Sequence, residues 1–241
     1  MNPTDPFDGI LLVDKPAGLT SHDVVARIRY HFRFKKVGHG GTLDPAATGL
    51  LIIMLGRGTR LSARFMSSDK TYEGTMKLGV TTDSQDADGA IVREADPSGV
   101  TREQLLREMA AFAGDLYQMP PMVSAIKKAG VPLYKLARKG EEVERTPRLI
   151  HVYEFRLLDF VPPRASFVLR CTKGTYVRTI CHDVGERLGV GAHLAQLRRT
   201  ESCGYTVAQA IPLDALLQRQ TLQLMDLVIP MHAVVGGPGG G

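Results

Sequence analysis

Residues 37–55 read Val-Gly-His-Gly-Gly-Thr-Leu-Asp-Pro-Ala-Ala-Thr-Gly-Leu-Leu-Ile-Ile-Met-Leu, a glycine-dense polar stretch that runs directly into an apolar strand, Leu50 to Leu55. Upstream, Gly9 to Val13 is a second apolar run, read as a buried strand that ends in the turn Asp14-Lys15-Pro16-Ala17-Gly18. Thr20 or Ser21 then caps a helix in which Val24, Ile28 and Phe32 share one face. Downstream, Lys70 to Gly79 alternates, with Tyr72, Met76 and Leu78 on one side and Thr71, Glu73, Thr75 and Lys77 on the other, which predicts a half-buried strand. After the acidic, turn-rich segment Thr81 to Asp96, Thr101-x-x-Gln104 predicts a capping box opening a helix with Leu105, Met109 and Phe112 inward. Strands are predicted at 150–160 and 165–172. A helical stripe of Val177, Ile180, Cys181, Val184 and Leu188 follows, ended by Gly189. Gly191 to Arg199 is read as one more short helix, with Leu194 and Leu197 inward. Strand runs and separated helices without regular alternation predict an α+β fold.

The chain has 241 residues, 44% of them hydrophobic and 23% charged, the range of a globular protein with a sizeable core. That excludes a disordered or fibrous protein and leaves room for one large domain or two small ones. Three widely spaced cysteines, Cys171, Cys181 and Cys203, without a C-x-x-C pair, predict neither a disulfide scaffold nor a zinc site, and no metal is expected. Met1 to Asp8 lacks the basic start and apolar core of a secretory signal, and no apolar run is long enough to cross a bilayer. The expectation is a reduced, cytoplasmic protein with no membrane association.

The net charge of +5 hides a strong local bias. Segments 24–36 and 127–148 together hold twelve Lys and Arg against three Glu, so the remainder of the chain is net acidic. The first carries Arg27, Arg29, Arg33, Lys35 and Lys36; the second, from Pro120 to Arg148, has no consistent period and reads as an inserted basic arm with Lys127, Lys128, Lys135, Arg138 and Lys139. A solvated helix face and a polyanion-binding surface both fit such runs.

Several motifs fail on spacing. Gly56-x-Gly58 and Gly189-x-Gly191 lack the third glycine and the downstream acid of a dinucleotide site, and no Walker lysine follows a glycine loop. Ser84 to Gly89 resembles a calcium loop, but Ser84 and Ala95 stand where its principal charged ligands belong, so a surface turn fits better. In His39-Gly-Gly-Thr-Leu-Asp44-Pro45, glycines admit close approach of a ligand, and Pro45 biases Asp44 to an extended backbone. An Asx-turn explains Asp44 equally, and a structural role explains His39. Lys173-Gly-Thr-Tyr176-Val-Arg178-Thr179 sits where a strand passes into a helix, so Arg178 either grips a carboxylate or phosphate with its planar fork or is simply a solvated arginine at a helix start. Tyr72 fits a site or simply the core.

Taken in order, Leu11-Leu-Val-Asp-Lys-Pro-x-Gly18, Gly38-His-Gly-Gly-Thr-Leu-Asp-Pro-x-Ala-Thr-Gly49, Lys70-x-Tyr72, Pro121-Met-Val-Ser-Ala125, Leu133 to Gly140, Lys173 to Thr179 and Gly191-Ala-His-Leu-x-x-Leu-Arg-Arg199 resemble the TruB family of tRNA pseudouridine synthases. The similarity spans roughly residues 9 to 205. It implies the pseudouridine synthase fold, a mixed, mainly antiparallel central sheet flanked by helices, with the basic arm as a thumb that closes on RNA. The implied activity is isomerisation of uridine 55 in the T loop of tRNA, by base flipping and without a cofactor. Residue by residue, Asp44 is similar to the essential carboxylate, Arg178 to the arginine that pairs with it, and Tyr72 to the tyrosine that stacks on uracil and serves proton transfer. His39 is similar to the histidine near the flipped base, Tyr176 and Leu197 to pocket-lining positions, and Lys15 to a supporting lysine. The basic residues of both segments are expected to contact phosphate.

The implied organisation is a catalytic domain over 1–230 with its thumb at about 120–148, a flexible glycine-rich tail over 231–241, and no C-terminal PUA domain. A monomer with no obligate protein partner is expected. The alternatives are a non-catalytic RNA-binding or tRNA-folding protein on the same scaffold, against which Asp44 and Arg178 both stand, and a guide-RNA-dependent synthase, against which the short C-terminal segment stands.

Overall fold

The computed structural model describes residues 5–121 and 145–235, together with the backbone of 127–128 and 131–132. In chain order, the first half contains β1 (Gly9–Lys15), α1 (Ser21–His31), β2 (Val37–His39), β3 (Thr48–Leu55), α2 (Ser62–Ser67), β4 (Lys70–Leu78), β5 (Val80–Thr82), β6 (Ile91–Glu94), α3 (Arg102–Ala110) and β7 (Gly114–Gln118). The second contains β8 (Lys127–Lys128), β9 (Val131–Pro132), β10 (Arg148–Val161), β11 (Arg164–Cys171), α4 (Val177–Arg187), β12 (Ala192–Ser202), β13 (Tyr205–Thr206), β14 (Ile211–Pro212), α5 (Leu213–Leu217), β15 (Ile229–Pro230) and α6 (Met231–Val235). The mixed α+β class predicted from the sequence is the class observed. No helix of the described residues is long and apolar enough to cross a membrane.

The chain forms two compact units, one from the residues up to Tyr72 with those from Leu197 onward, the other from Glu73–Gln196. β4 and β12 carry the chain from one unit to the other. In the first unit the strand order is β14-β1-β3-β12, with β1 antiparallel to β3 and β12 parallel to β3 through Arg198 opposite Thr48 and Arg199 opposite Gly49. The unbroken apolar runs of β1 and β3 are explained by burial on both faces. Leu11, Val13, Leu51, Ile53 and Leu55 pack with Val24, Val25, Ile28 and Phe32 of α1 and with Leu213 and Leu216 of α5. On the other face Ile10, Leu12, Leu50, Ile52 and Met54 pack with Phe65 of α2 and Val234 of α6. α1 starts where predicted: Thr20 and Asp23 form a reciprocal capping box, and Asp23 is held below the usual carboxylate range by its bonds to Thr20.

In the second unit the order is β4-β11-β10-β7, with α3 packed against β10 and α4. The predicted capping box at Thr101 and Gln104 opens α3, and Leu105 and Met109 point inward. In α4, Val177, Ile180, Cys181 and Val184 are buried as the stripe predicts.

One element differs in type. Gly191 to Arg199 is not a helix but the greater part of strand β12. The three-residue spacing of Leu194 and Leu197 mimics a helical turn, but backbone pairing with β3, some 150 residues away in sequence, fixes the extended state. Gly49 makes this pairing possible: its φ is +100°, and a Cβ there would lie 2.3 Å from the carbonyl oxygen of Arg199.

Candidate active site

Asp44 lies in the first unit, in the loop between β2 and β3, and is solvent-exposed while Leu43 and Ala47 beside it are buried. The backbone around it is held from four directions. Ser21, at the start of α1, accepts from the Leu43 N–H at 2.8 Å and donates to the Leu43 carbonyl at 3.2 Å. The Lys15 ammonium donates to the carbonyls of Pro16 (2.9 Å), Leu19 (2.6 Å) and Pro45 (3.1 Å), and so clips the turn after β1 to the residue that follows Asp44. The Gly40 N–H bonds the Ile52 carbonyl at 2.8 Å, and a Cβ on Gly40 would stand 2.6 Å from that of Phe65. The fourth support is Arg199, whose guanidinium donates to the carbonyls of Leu50 (2.7 Å), Thr42 (3.2 Å) and Gly41 (3.1 Å). A loop with its carbonyls bonded in this way fixes the backbone from which the Asp44 carboxylate is presented.

Lys15 is completely buried. Burial pushes its ammonium down to about 8, opposed by the negative charge of Asp44 and assisted by the positive charge of Arg199. The folded protein therefore releases this proton near pH 8, whereas the unfolded chain holds it to about 10.5. Between these values the unfolded state binds more protons, so stability from this group rises with pH and falls as pH drops back through 8. In urea melts from pH 7 to 10, the parent chain is expected to gain stability relative to Lys15→Met as pH rises; a pH-independent difference would contradict this.

His39 ends β2, with its ring 6.4 Å from that of His22 at a near-perpendicular angle. Burial, then the charges of His22 and Arg199, lower its pKa, and a hydrogen bond to the Gly41 backbone opposes them. The neutral imidazole is therefore the form at neutral pH. Tyr72, buried on β4, is hydrogen-bonded to Arg199, while Leu197, partly buried on β12, accepts from the Thr48 hydroxyl at 3.4 Å through its carbonyl. Lys15, His39, Asp44, Tyr72 and Leu197 thus belong to the same unit.

Tyr176 and Arg178 belong to the second unit. Tyr176 is the residue before α4 and is pinned through both backbone groups by the Gln118 side chain, at 2.8 and 3.0 Å. Arg178 is buried in the first turn of α4, its Nη1 3.1 Å from Oδ2 of Asp86 and its guanidinium 5.7 Å from the Tyr176 ring centre. Asp86 occupies the segment whose calcium-loop spacing fails. The loop folds around it: the Ser84 hydroxyl and the Asp88 N–H donate to its Oδ1, the Thr82 hydroxyl donates to its carbonyl at 2.6 Å, and Thr179 of α4 bonds the neighbouring Gln85 side chain at 2.7 Å. That segment is a surface turn with a buried function, the placement of a carboxylate against Arg178.

Two residues of this arrangement were not singled out by sequence reasoning. Asp86 was indistinguishable from other acids of a polar turn, and Arg199 carried no local mark of burial. No group of three or more His, Cys, Asp or Glu able to hold a metal occurs among the described residues. Arg27, Arg29, Arg33, Lys35 and Lys36 are all exposed on or just after α1, consistent with either reading of that run. Lys135, Arg138 and Lys139 lie outside the described residues, as do the side chains of Lys127 and Lys128 and the glycine-rich end of the tail.

Comparison with known proteins gives a consistent result. The chain is 53% identical over 232 residues to tRNA pseudouridine synthase B of Opitutus terrae, covering 96% of each chain. To the protein of the same name from Geobacter sulfurreducens it is 49% identical over 231 residues, 95% of this chain and 76% of that one. Among solved structures it is similar to a chain of a Cbf5-Nop10-Gar1 complex, with a TM-score of 0.76 and 29% identity, covering 95% of this chain and 62% of the other. The model of the TruB family pseudouridylate synthase N-terminal domain matches residues 29–177, and that of the tRNA pseudouridylate synthase B C-terminal domain takes over at residue 178 and runs to 235. With Asp44, Tyr72 and Arg178 all inside matched segments, the chain belongs to the TruB family of pseudouridylate synthases.

Proposed function

We propose that the protein converts uridine 55 in the T loop of tRNA to pseudouridine, with Asp44 as the essential carboxylate. The observation that carries this reading is an exposed aspartate on a loop whose carbonyls are bonded by Lys15, Ser21 and Arg199, in a member of this family. The N1–C1′ bond breaks, the uracil turns, and C5 bonds to C1′; the proton on C5 leaves and N1 regains one. Asp44 acts either by attacking the sugar or by taking the C2′ proton to give a glycal, and both routes need it ionised. A uridine stacked in the T loop has to leave the stack before the carboxylate reaches its ribose. Tyr72 offers a ring for the uracil and a hydroxyl for proton transfer, and His39 and Leu197, in the same unit, take the family's positions near the extruded base; Arg178 and Tyr176, in the other unit, match the family's arginine and a further pocket-lining position. Nothing in this sequence of bonds calls for a cofactor.

The test follows from the balance of atoms. A tRNA transcript tritiated at uracil C5 is expected to release tritium from one uridine per molecule, in buffer containing EDTA and no added cofactor. Retention of all the label would overturn the reading.

Affinity is supplied by phosphate contacts from the α1 surface and from the thumb residues Lys127, Lys128, Lys135, Arg138 and Lys139. Beside α1, Arg29, Tyr30, His31, Arg33 and Phe34 line a shallow cleft. Each phosphate neutralised releases counterions, so affinity falls steeply with salt. Changing Arg29, Arg33 and Lys35 together to Gln is expected to weaken tRNA binding about tenfold or more at low salt and to reduce the salt slope by roughly two to three. An unchanged slope in filter-binding titrations would remove α1 from the RNA surface.

A further inference from the structure

Arg199 is the largest fully buried side chain among the described residues. Burial lowers its pKa, and Tyr72 opposes that shift. Its guanidinium has no carboxylate within ion-pair distance among the described residues; its acceptors are the carbonyls of Leu50, Thr42 and Gly41 and the oxygen of Tyr72. Burying a charge without a counter-ion is costly, and a neutral donor would staple three carbonyls at lower cost. The buried charge therefore needs a further explanation, and the only side-chain acceptor among these four groups is the Tyr72 hydroxyl.

We propose that Arg199 is a positioning residue for the isomerisation, acting through Tyr72 while its other donors hold the loop that carries Asp44. The inference rests on the roles assigned above to Asp44 and Tyr72. Guanidinium only donates, so the phenol oxygen is the acceptor and the Tyr72 hydroxyl proton is turned away from Arg199. The same charge-assisted bond stabilises negative charge on that oxygen whenever Tyr72 gives up its proton. One side chain thus fixes the direction of the phenol proton and, through the carbonyls of Gly41 and Thr42, the approach of the loop two residues before Asp44.

The test is a double-mutant cycle in single-turnover assays, with tRNA affinity measured in parallel. A charged-group hydrogen bond of this kind corresponds to about a 10- to 100-fold rate effect. Arg199→Lys is expected to slow the reaction by about that factor with tRNA affinity within about twofold, and the loss is expected to shrink below about threefold when Tyr72→Phe is already present. Arg199→Gln, neutral but able to donate, serves as a second variant and is expected to show the same dependence on Tyr72. Equal losses in both backgrounds, or chains that fail to fold with either substitution, would overturn the proposal that the guanidinium acts through Tyr72, leaving it only the loop or the stability of the fold. Full activity of Tyr72→Phe with Arg199 intact would be a different failure, that of the role assigned to Tyr72, and would take this proposal with it.

Discussion

Asp44→Asn is expected to lower the single-turnover rate of pseudouridine formation at least about 1,000-fold while leaving tRNA affinity within about twofold. The amide has the shape of the carboxylate but neither its negative charge nor its ability to attack C1′ or accept the C2′ proton, so both routes close together. Binding is expected to survive because other side chains bond the loop backbone: Ser21 brackets Leu43, Lys15 holds Pro45, and Arg199 holds Gly41 and Thr42. Rapid-quench assays beside filter binding separate the two quantities. A variant that keeps a tenth of the parent rate would remove Asp44 from the chemistry, and one that loses affinity in proportion to rate would make it a binding residue.

The second large effect concerns stability. Arg178 and Asp86 form an ion pair whose side chains are 5% and 17% exposed. Removing the carboxylate from such a pair leaves a guanidinium without that counter-ion in a poorly solvated place, so Asp86→Ala is expected to destabilise the fold by roughly 3 kcal/mol. Replacing both members, as Asp86→Ala with Arg178→Met, removes the guanidinium together with its carboxylate and is expected to recover part of that loss. Urea denaturation of the parent, both single variants and the double variant gives the coupling directly. Losses that simply add would show that the pair does not act as a unit.

Much of the fold was legible because it is encoded locally. The cap of α1, read at Thr20 or Ser21 and found at Thr20, and the capping box read at Thr101 each lie within four residues of sequence. The unbroken apolar runs of β1 and β3 and the alternation of β4 stand in the same class, since burial on two faces or one is written directly into the residue pattern. What sequence reading missed depends on partners distant along the chain. β12 was read as a helix because Leu194 and Leu197 fit one, while its state is set by residues 48 and 49. Asp86 reads as a turn residue because its partner lies 92 positions later, and the role of Arg199 is not read at all because nothing near it in sequence reveals three carbonyl acceptors around residues 41 to 50. Asp44, Tyr72 and Arg178 emerged early only because several motifs in the right order resemble one family; each alone fitted an ordinary structural role equally well.

This chain is expected to isomerise one uridine of tRNA through Asp44. The most direct test is to incubate the purified protein, and in parallel Asp44→Asn, with an unmodified full-length tRNA transcript and to map pseudouridine along the whole RNA. The prediction is a single pseudouridine at position 55 with the parent chain and none with the variant. Modification elsewhere but not at 55, or equal modification by both chains, would contradict it.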